Sequence, residues 1–269
     1  GAGWQLSKNL ISRDVNFTME DITDDTYKLI LDNSQYELVY TAGKFHTKTE
    51  SYLKIEKLST FSNLRGEYWL VTLKDGTKYR FGYNPDSELT SNIVYNYTLQ
   101  WHLDLIEDTH DNKIYYSYHE DPFDGDFGSV YPDKITYNND QKRRIEFDYE
   151  DSVRPDKRIV YEQGNKFCES RRLTDIRIYA QNVSVRRYNF EYSSLNSVNS
   201  LTALSAINQY GSDDTSLLHQ IVFEYFPDKE GYTKIDGDFE SPELFTDHNH
   251  NDFGVRALDL NNDGFIDII

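Results

Sequence analysis

The sequence holds one cysteine, Cys168, so no disulfide can form within the chain, and zinc sites built on two to four thiolates are excluded. No cysteine–histidine signature surrounds it, and a buried, unreactive thiol is expected. Cations are scarce as well: 28 Lys and Arg face 46 Asp and Glu, a formal charge of −18. That field repels a phosphate backbone and an anionic bilayer, which makes nucleic acid and membrane surfaces poor partners and suits bound cations. No apolar run approaches the roughly 20 residues of a membrane-spanning helix, so membrane insertion by this chain is not expected. Alanine, the best helix former, occurs only six times in 269 residues.

What is abundant is aromatic: Tyr 22, Phe 15 and Trp 3, together 15% of the chain. Disordered chains are poor in aromatics, and tyrosine suits pleated, half-buried surfaces. The dominant pattern is alternation with period two, interrupted by turn residues. Tyr27–Leu31 meets Asp32-Asn33-Ser34 and returns as Tyr36–Tyr40. Tyr68–Leu73 meets Asp75-Gly76, the clearest hairpin turn, and returns as Lys78–Tyr83. Trp101–Ile106 returns as Ile114–Tyr118, Lys134–Tyr137 as Arg144–Tyr149, and Leu173–Tyr179 as Val185–Tyr192. Ile114, Tyr116 and Tyr118, then Ile145, Phe147 and Tyr149, then Tyr188, Phe190 and Tyr192 mark one face. Arg144, Glu146 and Asp148 mark the other, which predicts a sheet with one buried and one wet face. The predicted fold class is all-β: a succession of antiparallel hairpins forming a large curved sheet or shell. The hairpins suggest a weak repeat without a strict period.

The chain opens on Gly1, its only methionine is Met19, and no signal peptide is present. An internal piece of a longer protein, or a processed form, is expected. Near residue 228 the alternation gives way to an Asp-, Glu-, His- and Asn-rich stretch. The predicted organisation is a hairpin domain over 1–227, a linker over 228–244 and a new unit over 245–269.

The sharpest chemical signal lies in that last unit, at Asp259-Leu260-Asn261-Asn262-Asp263-Gly264-Phe265-Ile266-Asp267. Oxygen side chains fall at the first, third, fifth and ninth positions, and Gly264 permits a sharp reversal. Alternating oxygens on a curled loop converge on one point and satisfy a hard cation that takes six to eight oxygens. Asp259, Asn261, Asp263, Asp267 and the backbone carbonyl of Phe265 are therefore candidate Ca²⁺ ligands. The bland alternative is an Asx-rich turn with no ion. An EF-hand needs flanking helices, whereas Phe253–Leu258 and Ile266–Ile269 read as strands.

This motif resembles the strand–loop–strand calcium loop of FG-GAP/VCBS repeats, and the resemblance implies the start of a β-propeller-type repeat at the C-terminus. A second resemblance covers about residues 3–226. Gly3-Trp4-Gln5-Leu6-Ser7, Ile11-Ser12-Arg13, Leu31-Asp32, Asp75-Gly76 with Phe81-Gly82, and Trp101-His102-Leu103 fall in the order of the SpvB and insecticidal toxin-complex B (TcaC-like) N-terminal region. Asp111-Asn112-Lys113-Ile114-Tyr115-Tyr116-Ser117-Tyr118, Lys134-Ile135-Thr136-Tyr137 and Arg171-Arg172-Leu173-Thr174-Asp175-Ile176 continue that order. The resemblance implies a structural, non-catalytic shell segment of a secreted, extracellular bacterial toxin. Its implied partners are other segments of the same toxin, an Rhs-repeat partner and a translocation channel component.

Enzyme signatures are missing: there is no Gly-x-Ser-x-Gly, no P-loop, no Gly-x-Gly-x-x-Gly and no Glu-x-Glu pair of the ADP-ribosyltransferases that some relatives of this region carry. Glu240 and Glu243 could suggest a glycoside hydrolase, but so many carboxylates make chance pairs common. His248-Asn249-His250-Asn251-Asp252 could chelate a transition metal, and reads more simply as a solvated linker. Asn16, Asn96 and Asn182 sit in glycosylation-type sequons. The aromatic excess leaves an alternative function open, an extracellular carbohydrate-binding or adhesin module, although period-two spacing favours core packing.

Overall fold

The computed structural model describes residues 6–91, 97–120, 128–138, 142–194, 201–225, 257–258 and 267–268. The chain forms two units, Gly1–Phe226 and Pro227–Ile269. Among the described residues, the regular structure is all strand except for one 3₁₀ turn at Pro85–Ser87.

The first unit begins with β1 (Leu10–Asp14), β2 (Thr26–Leu31), β3 (Ser34–Thr41), β4 (Lys44–Thr47), β5 (Lys54–Ser59), β6 (Glu67–Thr72), β7 (Lys78–Phe81), β8 (Glu88–Thr90) and β9 (Thr98–Glu107). Strands β1 to β7 pair in sequence, β7 pairs with β9, and β9 returns to β1 through Leu10↔His102, Ile11↔Trp101 and Ser12↔Gln100. Seven strands plus β9 thus close an eight-stranded barrel, which removes the exposed edges an open sheet would carry. A barrel of this size is filled by its own side chains. Ile11, Leu29, Trp69, Val71, Phe81, Trp101 and Leu103 are fully buried there, with Tyr27, Leu31, Leu38 and Ile55 around them. The expected alternation produces this core, since Trp69, Val71, Trp101 and Leu103 sit two apart on their strands.

Turn chemistry sets the register. Asp32-Asn33, Ala42-Gly43 and Gln181-Asn182 each place two consecutive residues at positive φ, as tight two-residue hairpins require. Asp75-Gly76 does so only at Gly76, φ 88°. The Leu73 carbonyl accepts from the Gly76 N–H, while the Asp75 carboxylate accepts from the Thr77 N–H, so this turn is longer than its Asp-Gly pair suggests.

The sheet continues from β9 through β10 (Lys113–Glu120), β11 (Val130–Tyr137), β12 (Arg144–Tyr149), β15 (Leu173–Ala180), β16 (Val183–Ser194), β17 (Thr202–Tyr210) and β18 (Leu217–Val222). The hairpin β13 (Arg158–Glu162) and β14 (Asn165–Glu169) leaves this order and reaches back to the barrel. Gln163 accepts from the Val15 N–H at 2.7 Å and donates to the Arg13 carbonyl at 3.1 Å, while Asn165 bonds Ser91 and Tyr97. Strand β9 is shared by barrel and open sheet. One edge carries β7 and β8. The other is taken by β1 over Gln100–His102 and by β10 over Leu105–Glu107. The predicted split into one buried and one wet face does not hold here: on β12 and β15 most side chains of both faces are half-buried. Segments off the sheet cover part of it: Leu6, Lys8 and Asn9 share a cleft with Tyr116, Tyr118, Pro132 and Phe147, and the chain around β13–β14 reaches Tyr131 through Ser170 and Thr202 through Arg154 and Asp156.

In the second unit, β19 (Ala257–Leu258) pairs antiparallel with β20 (Asp267–Ile268).

Candidate functional site

A row of tyrosines crosses the open sheet. The Tyr118 hydroxyl donates to the Leu103 carbonyl at 2.6 Å, Tyr149 to Pro132 at 2.9 Å, Tyr192 to Leu173 at 2.8 Å and Tyr225 to Leu204 at 2.7 Å. Each acceptor lies on the strand before the tyrosine. The first three tyrosines also stand opposite the next acceptor: Tyr118↔Pro132, Tyr149↔Leu173 and Tyr192↔Leu204. A β-bulge immediately precedes each of these three, at Ser117/Tyr118, Asp148/Tyr149 and Glu191/Tyr192. A bulge re-aims the following side chain, here along the sheet toward the previous strand. The residue before each acceptor packs on the same ring in three cases: His102 on Tyr118, Tyr131 on Tyr149, and the Arg172 guanidinium over Tyr192.

The weak repeat of the sequence therefore has a physical unit. It pairs Leu/Pro-x-x-Ile (Leu103…Ile106, Pro132…Ile135, Leu173…Ile176, Leu204…Ile207) with a strand ending in aromatic-x-Tyr. The interval from Pro132 to Leu173 is the longest because it contains β13 and β14. Burial pushes the Tyr118 and Tyr149 hydroxyls up, and that of Tyr192 up to about 12, so all three stay protonated donors at neutral pH.

On the opposite register the sheet is laced with polar contacts. Asp148, Asp175, Asn189, Asn208 and Gln220 face one another across five strands. Asn189 donates to Asp175, and Gln220 donates to Asn208 at 2.8 Å. Arg177 joins Asp148, Arg187 joins Asp175, and both guanidiniums approach Asp214 at 3.5 Å. Arg144 lies over Tyr179 and Arg187 over Tyr210, each pair directly cross-strand. Cross-strand pairs of this kind stabilise a sheet.

Buried acids in the barrel hold loops in place. Asp104 accepts from Arg80, from the Tyr83 and Asn84 N–H groups and from Ser87. Burial pushes its carboxyl up despite those donors. Glu88 accepts from the Leu64 and Arg65 N–H groups and from Thr98. Burial pushes His102 down to about 3, so its imidazole is neutral at physiological pH. Asp133 accepts from Ser117 and pairs with His119, both at 3.0 Å. The carboxylate sits between serine and histidine, so it does not form the base–nucleophile contact of a hydrolytic triad. Among the described residues, no three His, Cys, Asp or Glu side chains converge to hold a metal. Cys168 is buried, as expected.

At one end of the barrel a charged plug closes the core. Arg13 pairs with Asp25 at 3.5 Å and with Glu67 at 3.3 Å, and Lys57 pairs with Glu67 at 2.9 Å. The two cations lie over a floor of Tyr27 and Trp101, with Trp69 also beneath Lys57. Sequence reasoning missed this plug, because its members are dispersed over four strands and strand ends.

Of the predicted calcium ligands, Asp267 lies on β20 with its backbone opposite Leu258, so the two ends of the 259–266 segment are brought together. Asp259, Asn261, Asp263 and Phe265 lie outside the described residues, as do Glu240, Glu243, His248–Asp252, the 228–244 segment and Asn96.

The sequence profile of the family described as Salmonella virulence plasmid 65kDa B protein, SpvB, matches residues 1–230. The chain belongs to the SpvB family. Its fold is similar to the N-terminal domain of effector protein SpvB from Salmonella typhimurium strain LT2, at 17% identity and TM-score 0.62, covering 78% of this chain and 88% of that one. It is also similar to a TcdB2-TccC3-Cdc42 structure, at 18% identity and TM-score 0.60, covering 77% of this chain and 13% of that one. A third similarity is to a Photorhabdus luminescens Tc holotoxin pore structure, at 15% identity and TM-score 0.59, with 77% and 13% covered. The chain thus spans a small fraction of the two larger assemblies' chains. No curated protein matches it by sequence. Within this SpvB-family chain, no helix among the described residues is long and apolar enough to cross a membrane.

Proposed function

We propose that this chain is a non-catalytic wall segment of a secreted bacterial toxin-complex or Rhs-like protein, helping to enclose or present a toxic payload. Its partners in this reading are other segments of the same toxin, an Rhs-repeat protein and a translocation channel component. The observation that carries the reading is the latched row: one hairpin unit, repeated across an open sheet that grows out of a closed barrel. A repeated hairpin unit is suited to being extended by a further strand. Strand β18 is exposed along its whole length and carries no formal charge, so it offers an edge to which a further strand can add. The SpvB-family match supports the same reading.

In the same proposal, Asp259, Asn261, Asp263, Asp267 and the Phe265 carbonyl hold Ca²⁺ in the second unit. The pairing of β19 with β20 supports it, because convergent loop oxygens need loop ends held together. The ion would neutralise clustered carboxylates and order the loop.

The test is co-expression of the full-length protein that carries this chain with an Rhs-repeat partner from the same source. Electron microscopy should show a closed, hollow particle that contains this segment in its wall. A soluble, monomeric product with hydrolase or transferase activity of its own would overturn the reading.

A further inference from the structure

The antiparallel order places four connections at one end of the barrel: β1–β2, β3–β4, β5–β6 and the segment after β7. That end is also where the Arg13–Glu67–Lys57 plug lies. Two of these loops present apolar side chains to solvent. Phe17 and Phe61 are fully exposed, and Ile22 and Leu64 are about two-thirds exposed, at 66% and 69%.

Neither loop is loose. In β5–β6, the buried Glu88 carboxylate accepts from the Leu64 and Arg65 N–H groups. Asn63 donates to the Gly82 carbonyl and accepts from the Gly66 N–H. A cavity of about 420 Å³ lies beside Thr60, Phe61, Leu64 and Arg65. In β1–β2, the Val15 carbonyl accepts from the Thr18 N–H, and the Thr18 hydroxyl donates to Asp24 at 2.6 Å.

This turn carries backbone strain. Asn16 and Phe17 sit at φ 47° and 66°. Asparagine tolerates that region, but a bulky ring does not, and glycine is the usual second residue of such a turn. A phenylalanine held there, in full contact with water, costs stability and contributes no packing to its own chain. Strain of this kind concentrates at functional surfaces.

We infer that this end of the barrel docks a basic, apolar-faced segment of another protein. Charge selects the partner. The 15–25 loop contains Glu20, Asp21, Asp24 and Asp25 and no cation, and the first three are exposed, while the one charged residue of the β5–β6 loop, Arg65, is half-buried. The rings supply contact area at low entropic cost, and the acids favour lysine or arginine beside it. A second copy of this chain, at −18, is repelled. An anionic membrane is repelled for the same reason. The inference is independent of the wall reading, since it concerns the opposite end of the sheet from β18.

The test uses the 269-residue chain and three probes: a synthetic Leu/Lys amphipathic helix, its Leu/Glu counterpart, and phosphatidylcholine–phosphatidylglycerol vesicles. Two variants are compared with the natural sequence, Phe17→Gly, which relieves the strained turn, and Phe61→Ser, which removes a solvated ring. Both should melt at or above the parent temperature. Each should weaken Leu/Lys binding by roughly tenfold, the scale of an aromatic anchor, with no binding of the Leu/Glu helix or of vesicles. Equal Leu/Lys affinity in parent and variants, absence of Leu/Lys binding, or co-flotation with vesicles would each overturn it.

Discussion

Gly82 shows how one position can hold two elements together. It sits at φ 72°, and a Cβ there would meet Trp101 Cδ1 at 2.2 Å, deep in the barrel. The Trp101 ring cannot retreat, because it packs on Tyr27 and Trp69 and its Nε1 donates to the Glu67 carbonyl. Gly82→Ala therefore combines left-handed strain with overpacking and should cost about 3 kcal/mol in urea unfolding. Asp156 carries a pH signature. Burial alone would raise its carboxyl, but hydrogen bonds from Arg154 and Thr202 outweigh that and hold it well below the usual range. A depressed folded-state value contributes stability that is present above the unfolded value, near pH 4, and lost as the pH falls through the folded one. Asp156→Asn should thus be destabilised at neutral pH, and the gap to the parent should close on acidification. A gap that is constant with pH would contradict this assignment.

At the scale of elements, the latches make a graded prediction. Tyr118→Phe, Tyr149→Phe and Tyr192→Phe each remove one hydroxyl donor from an inter-strand bond and should cost about 1 kcal/mol apiece. Tyr161→Phe, on the exposed face of the β13–β14 hairpin, should be neutral. The latch hydroxyls are pushed up by burial, so the unfolded chain ionises first as pH rises above about 10, and stability falls in that window. Tyrosinate absorbance should rise in two phases, the later one coinciding with unfolding. Much of this was legible beforehand: the hairpins from Trp101 to Tyr192 follow from period-two alternation. The latch itself was hidden, because a bulge shifts the register by one residue and only three-dimensional pairing reveals where the ring then points. Strand β4 and its Ala42-Gly43 turn, and the Gln163-Gly164 turn, were hidden for another reason. Alanine and glutamine are not residues that announce positive φ, yet both adopt it here, at 52° and 49°.

At the scale of the molecule, an all-β shell was expected from aromatic abundance and alanine scarcity. Barrel closure was not, because a β1–β9 pairing between residues so far apart in sequence leaves no local trace. Leu10–Asp14 alternates only weakly, and its partner Thr98–Glu107 is buried on both sides over much of its length. The calcium loop remains a sequence-based assignment. If Ca²⁺ binds there, EDTA should lower the melting temperature of the calcium-loaded chain, and elemental analysis should find bound calcium. An unchanged transition without metal would remove the site.

The central claim is that one strand, β9, both closes the barrel and begins the wall. Ser12 and Gln100 are directly opposite across the closing pair and flank the inward-facing Ile11 and Trp101. The most direct measurement is disulfide formation in the double variant Ser12→Cys/Gln100→Cys, read by peptide mass after mild oxidation of the folded chain. A bridge between the two introduced thiols should form in nearly every molecule, leaving buried Cys168 free. A chain that is folded and oxidised yet shows no such bridge would mean that the barrel is open.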